Sequence, residues 1–355
     1  MKIISDFIKD TQSAKMNPGG YEWWYFDAMS KNGYSIVVIF YCGNPFSRRY
    51  INALRDDINN NAEQFPAISV SVYKDSKPVY YSFEETKPEQ AEFSKVEPKG
   101  RVRDSRFKGS RNDGNIFFTI QLDQKLINGD SIFGELHFSS NDNSLSEIVR
   151  DGSDDQEKHI WNLVMPKCKV KGKLTLKGYQ EEEILFDGVG YHDHNSGNEP
   201  MKESFRQWYW GRYHTENATF IYYLMEGIAG WDEKAWLIED GGTIKRMNQP
   251  VKKEQNSFSL FALKNARTLS FESGHDKIFL QLDKCTDNGP FYLRYQGNLI
   301  IKSGDQIETA TGISEYIFPS RINNRVFWPL VNMRISYPGE QHWVQKSPVL
   351  YRWTW

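Results

Sequence analysis

Short segments in which apolar and polar side chains alternate recur along most of this chain, and turn residues close each one. Ala67-Ile68-Ser69-Val70-Ser71-Val72-Tyr73 has this form, as do 169–176 and 277–282, while 34–41 is a continuous β-branched and aromatic run. Successive side chains on a strand point to opposite faces, so a period of two describes a sheet with one buried face. Further strands are predicted at 115–122, 131–138, 218–225, 257–263 and 291–301. Asn32-Gly33, Asn128-Gly129-Asp130 and Asp287-Asn288-Gly289 are among the turns between them. Helices are expected only at 47–60 and at 144–151, where Ser144 and Glu147 have capping-box spacing. The polar stretch 88–108 reads as a hairpin or loop. This rhythm predicts an all-β barrel or sandwich. The strands are too many for one small barrel, so two consecutive antiparallel β-barrels are expected, 1–199 and 200–355, divided near Glu199-Pro200.

Composition excludes several classes. Net charge is −2 with scattered Lys and Arg, which leaves no basic footprint for nucleic acid. The three cysteines, Cys42, Cys168 and Cys285, are far apart and form no CxxC pair. Neither a disulfide framework nor a cysteine zinc site is expected, which fits a reducing compartment. No apolar core follows the N-terminal residues, and the longest apolar stretch, 34–42, is too short to span a bilayer as a helix. The expectation is a cytoplasmic protein, with peripheral membrane contact if its substrate is a lipid. Aromatics make up 15% of the chain, including 11 Trp, ample to line an apolar cavity.

The chemistry concentrates in Gly190-Tyr191-His192-Asp193-His194-Asn195-Ser196-Gly197, which follows the apolar Ile184-Leu185-Phe186. On a strand, Tyr191, Asp193 and Asn195 share one face and His192 and His194 the other. The alternative is a polar loop, since Asn, Asp, Ser and Gly are turn formers. Three further clusters stand out. Glu22-Trp23-Trp24-Tyr25-Phe26 places Glu22 and Trp24 on one face, as an aromatic wall with a carboxylate or as core. His159-Ile160-Trp161 aims a histidine and an indole the same way. Trp208, Trp210 and Arg212 share a face of 206–214, again as cavity wall or core.

His192 and His194 at i, i+2 have the spacing of two metal ligands, with His159, His214 or a carboxylate as further donors. No HExxH or cysteine pattern supports such a site, so no metal is expected. No GxSxG, P-loop or dinucleotide fingerprint is present, and no cofactor is expected.

Taken in order, Glu22 to Phe26, His159-Ile160-Trp161, Gly190 to Asn195, the Trp-rich strand and Gly312-Ile313-Ser314-Glu315-Tyr316 resemble the carotenoid hydratase (hydroxyneurosporene synthase) family. The resemblance implies a pair of packed lipocalin-like β-barrels and cofactor-independent hydration of an isolated C=C bond in an acyclic carotenoid or similar polyene. The family's His-x-Trp and Tyr-x-Asp pairs fall on His159, Trp161, Tyr191 and Asp193. Ser196 departs from the family, which often has Trp there. Glu22, Trp24, Trp208, Trp210, His192, His194 and Asn195 are expected around a hydrophobic small-molecule substrate. The same superfamily includes pericyclases and cyclases of secondary metabolism.

The residues are consistent with that chemistry. An ordinary Asp ionises near ~3.9, but desolvation raises a carboxyl and can keep Asp193 protonated as a general acid. Trp161, Trp24 and Trp210 are expected to face the developing cation, Tyr191 to orient the carboxyl, and His159 to take a proton from the attacking water. His192 and His194 are expected to brace the strand from behind. Two alternatives stand beside hydration: a cyclase or pericyclase that folds a polyene in the same pocket, and a non-catalytic carrier of an apolar ligand.

Overall fold

The computed structural model of the chain describes residues 1–13, 17–58, 60–142, 145–152, 158–178, 181–248 and 250–355. They form two compact units, Met1–Met201 with Trp328–Trp355, and Lys202–Phe327.

The first unit contains β1 (Lys2–Ile4), β2 (Tyr21–Ser30), β3 (Tyr34–Gly43), β4 (Ala67–Lys74), β5 (Lys77–Glu85), β6 (Ala91–Phe93), β7 (Lys99–Val102), β8 (Ser105–Asn112), β9 (Asn115–Lys125), β10 (Ser131–Asn141), β11 (Ile160–Lys177) and β12 (Glu182–Gly197). Their order in the sheet is β5-β4-β3-β2-β12-β11-β10-β9-β8-β7-β6, with β1 parallel to the start of β11. Tight turns set the registers. Between β2 and β3, Gly33 sits at φ +85, in the left-handed region that favours glycine. The sheet curls so that Phe26 on β2 and Phe40 on β3 meet Phe107 on β8, with ring centroids 5.5 and 5.1 Å apart. Phe118 and Phe138 complete this interior around Phe26. Ser82 on β5 donates to Gln124 Oε1 on β9 across 2.9 Å, linking the far strands of the curl by side chains.

The second unit contains β13 (Gln207–His214), β14 (Ala218–Gly227), β15 (Gly230–Glu239), β16 (Ile244–Arg246), β17 (Lys252–Glu254), β18 (Ser257–Phe258), β19 (Lys264–Asn265), β20 (Thr268–Ser273), β21 (Asp276–Asn288), β22 (Tyr292–Ser303) and β23 (Gln306–Ile317). The main sheet runs β16-β15-β14-β13-β23-β22-β21-β20-β17. Its core gathers Tyr209, Tyr213, Phe220, Tyr222, Phe271 and Leu280. Both sheets follow one plan. A meander runs outward from the first long strand, and the last strand returns to pair with that first one, β12 with β2 and β23 with β13. The all-β, lipocalin-like expectation therefore holds, as two curled antiparallel half-barrels.

The helix expected at 47–60 is α1 (Arg48–Asp56), capped by Ser47, whose Oγ accepts from Tyr50 N at 3.2 Å. That at 144–151 is α2 (Ser146–Arg150), entered from Leu145 without a side-chain cap; Ser144 lies outside the described residues. The strand expected at 257–263 is reduced to β18. Phe258 and Leu260 there are exposed and Ala262 turns at φ 55, so its alternation marks no buried face. The stretch 88–108 holds β6, β7 and the start of β8. A short helix, α3 (Met201–Ser204), precedes the second sheet, and the closing segment carries two more, α4 (Trp328–Arg334) and α5 (Pro348–Arg352).

Candidate active site

The polar motif lies on β12 between β11 and β2, in the middle of the first sheet. Glycine opens it for a packing reason. A Cβ on Gly190 would stand 2.5 Å from the Asp27 carbonyl oxygen and 2.6 Å from Val170 Cγ2, so only a bare backbone fits between those neighbours. Beyond Gly190 the strand alternates as its sequence predicts, and both faces are buried.

On one face Asp193 is the hub. Its Oδ2 accepts from Tyr191 OH at 2.6 Å and from Trp161 Nε1 at 2.7 Å, and its Oδ1 accepts from Asn195 Nδ2 at 2.8 Å. Trp161 Nε1 also lies 3.2 Å from Tyr191 OH. Such a set of donors favours the ionised carboxylate, whereas burial favours the neutral acid. His159, one residue before β11, joins the same face. Its Nδ1 is 2.9 Å from Tyr21 OH, and its ring contacts Trp23. Burial lowers its pKa to about 3, with the positive amino terminus adding, against a hydrogen bond to the Asn195 side chain that favours the protonated ring. His159 is therefore a neutral imidazole at ordinary pH. Burial raises the Tyr21 phenol well above its usual range, so it keeps its proton. The four residues expected to carry the chemistry, Asp193, Tyr191, His159 and Trp161, thus come together, with Asn195 between Asp193 and His159.

Register decides what else shares that face. Antiparallel partners project the same way, and β12 pairs Asn195 with Trp23, Asp193 with Tyr25 and Tyr191 with Asp27. The Tyr25 and Tyr191 rings meet edge to face at 6.1 Å. Tyr25 is thus the direct neighbour of Asp193, and Trp23, Asp27 and Tyr21 lie along the same face; none of the four was among the expected site residues. The odd positions of the Glu22 to Phe26 run were visible, but nothing short of the strand pairing identifies them as the relevant set.

Glu22, Trp24, His192 and His194 lie on the opposite face, inside the curl of the first sheet. Trp24, expected before the same developing cation as Trp161, is turned to the other side by the register. His192 stacks on Phe26 at 3.9 Å and His194 on Trp24 at 4.4 Å. His192 Nδ1 is 2.9 Å from the Tyr25 carbonyl oxygen and its Nε2 is 3.0 Å from Asp10 Oδ2. His194 Nε2 is 2.9 Å from Glu22 Oε1, and its Nδ1 is 3.4 Å from Asp10 Oδ1. Burial pulls the His194 imidazolium down, but Glu22, Asp10 and Asp193 outweigh it and raise the pKa above the ordinary histidine value. Asp10, between the two histidines, sits outside any strand and gave no periodic signal. Among the described residues no group of three or more His, Cys, Asp or Glu is placed to hold a metal ion.

Trp208, Trp210 and Arg212 belong to the second unit. They share the face of β13 turned away from the Tyr209 and Tyr213 core, and all three are buried.

The fold is that of a lipocalin-like all-β protein, with one buried carboxyl group held by three donors. A model of the carotenoid hydratase CrtC family matches residues 38–346, and the chain belongs to that family. It is accordingly an enzyme of the hydro-lyase type. The chain is 29% identical over 366 residues to hydroxyneurosporene dehydrogenase of Chlorobaculum tepidum, covering 96% of this chain and 94% of that one. It is 24% identical over 328 residues to acyclic carotenoid 1,2-hydratase of Thiocapsa roseopersicina, covering 92% and 75% respectively. The solved structure of CghA with Sch210972 superposes with a TM-score of 0.60 at 12% identity, covering 89% of this chain and 96% of that one, a likeness of fold alone. No helix among the described residues is long and apolar enough to cross a membrane.

Proposed function

We propose that this protein adds water to an isolated C=C bond of an acyclic carotenoid or similar polyene, with Asp193 as the proton donor and no cofactor. Protonating such a bond requires a strong acid in a dry site, because the product is a carbocation. The observation that carries the reading is the convergence of Trp161 Nε1, Tyr191 OH and Asn195 Nδ2 on one buried carboxyl group. As Asp193 gives up its proton, these donors stabilise the anion that forms, at the point where negative charge develops. The proton moves from the carboxyl group to the less substituted alkene carbon, leaving a tertiary cation. Water bonds to that cation and then loses a proton. His159 is neutral, and an imidazole in that state has a ring-nitrogen lone pair that can receive it. The Trp161, Trp23 and Tyr25 rings on the same face suit a passing cation, each contributing on the order of 1–2 kcal/mol when desolvated. Family membership and the names of the relatives support the hydratase reading.

The test is incubation of the purified protein with lycopene, neurosporene and a short terminal-alkene analogue in heavy-oxygen water. Hydration adds one labelled water to the product, and Asp193→Asn abolishes it. Conversion without label would replace this reading with cyclisation.

A further inference from the structure

The closing segment of the first unit carries a surface that the proposed chemistry does not use. From Trp328 to Trp355 the chain holds four of its 11 tryptophans, at 328, 343, 353 and 355. Two are strongly exposed, Trp343 at 63% and Trp353 at 84%, beside Val349 at 61% and Leu350 at 37%. Trp343 and Lys346 lie on the 3-10 turn Trp343–Lys346, and Val349, Leu350 and Trp353 lie on and just after α5, with the extended Ser347 between the two. The segment is anchored. Val344, Gln345 and Tyr351 are buried, Gln345 Nε2 donates to the Asn332 carbonyl at 3.2 Å, and Arg352 Nη2 donates to Asp130 Oδ1 at 2.7 Å. The apolar side chains are thus held outward by a fixed base.

Charge is biased as well. This segment has three cations and one acidic side chain, Glu340; Arg352 is ion-paired with Asp130 and Arg334 lies over the Tyr81 ring, which leaves Lys346 to supply the positive charge of this surface. Glu340 is already ion-paired with Arg48. From Gln341 to Trp355 there is no Asp or Glu at all. Exposed Trp interleaved with aliphatic and basic side chains matches the boundary between lipid headgroups and acyl chains, where the indole places its ring in apolar surroundings and its N–H among polar groups.

We propose that Trp343, Lys346, Val349, Leu350 and Trp353 form a docking surface for an anionic lipid bilayer. The inference rests on the proposed function in one respect: an enzyme for a polyene that dissolves in membranes has to meet the membrane. The family match ends at 346, so most of this surface lies beyond what it covers.

The experiment is co-sedimentation of the full chain with vesicles of phosphatidylcholine alone or mixed with phosphatidylglycerol, with brominated lipids to quench tryptophan emission. We expect binding to the anionic vesicles that weakens with salt. Trp343→Ser with Trp353→Ser should lower partitioning by about tenfold or more, given the apolar area removed from the interface. Lys346→Glu should lower it by about fivefold or more, since one basic residue near such a surface contributes on the order of 1 kcal/mol. Unchanged melting temperatures confirm that the variants fold. No binding, binding that the variants leave intact, or a concentration-dependent dimer that the double variant abolishes would overturn the proposal. Turnover of the short soluble alkene without vesicles, which these variants should not alter, separates this outcome from failure of the hydratase reading.

Discussion

Trp161 Nε1 donates to Asp193 Oδ2 at 2.7 Å, although the residue paired with Asp193 on β11 is Leu163 and Trp161 itself pairs with Asn195. The indole therefore reaches diagonally along the face, a span that large aromatic side chains cover. It arrives beside a register shift between Leu163 and Met165. Such irregularities re-aim side chains on a strand. The sheet, not a mobile loop, holds this donor on the carboxyl group.

If Asp193 is the acid, Asp193→Asn should lower the hydration rate by about 10²–10⁴-fold, the range for losing a general acid. The amide is isosteric, so far-UV circular dichroism should be unchanged. Full turnover in the folded variant would end the proposal.

Trp161→Phe and Tyr191→Phe each remove one donor to the anionic carboxylate. Hydrogen bonds to the charged form lower a carboxyl pKa, so losing one raises it. The alkaline limb of the kcat profile should move to higher pH while the plateau falls by about 10–100-fold, the scale of one lost oxyanion donor or somewhat less. A plateau loss with no movement of that limb would assign these residues to packing.

His159 should leave a mark on stability. Its folded pKa is lowered to about 3 from the ordinary 6.5, so between these values the unfolded chain binds a proton that the folded chain refuses. Stability then falls as pH drops through that window, by up to about 1.4 kcal/mol per pH unit from this group. His159→Gln should flatten this slope in urea unfolding measured between pH 4 and 6.

His194 acts with the opposite sign. Its folded pKa is raised, so the stability it contributes is full below the ordinary histidine value and is lost as pH rises through the folded one. Glu22→Gln keeps an oxygen that can accept from His194 but removes its nearest negative charge, and should weaken that decline on the alkaline side. Urea midpoints measured across neutral pH for both proteins decide the matter.

Gly190→Ala should destabilise the first unit by about 1–3 kcal/mol, the usual cost of overpacking. The added methyl meets the Asp27 carbonyl and Val170, so either β12 moves or its neighbours do. Activity should fall further than stability alone explains, because Asp193 lies three residues along the same strand.

Period-two alternation made much of this site legible. It separated Tyr191, Asp193 and Asn195 from His192 and His194, and the hydrogen bonds follow that division. It could not say which face of Glu22 to Phe26 belongs with Asp193, because that depends on β12 pairing Asp193 with Tyr25. A slip of one residue would have exchanged Trp23 and Tyr25 for Trp24. Asp10 was invisible for another reason: it reaches the histidines from an irregular segment, and only tertiary packing places it there. The return of Trp328–Trp355 to the first unit carries no periodic signal either.

The pairing of first strand with last has a consequence during synthesis. Tyr25 and His192 touch across a separation of 167 residues, so β2 leaves the ribosome long before the strand that completes its site. At about 5–20 residues per second, that wait is roughly ten to thirty seconds. Throughout it the nascent chain presents Glu22-Trp23-Trp24-Tyr25-Phe26 with one edge unpaired, an adhesive surface in a crowded cell. Recombinant yield should therefore respond to translation speed and to chaperone supply more than to the equilibrium stability of the finished protein.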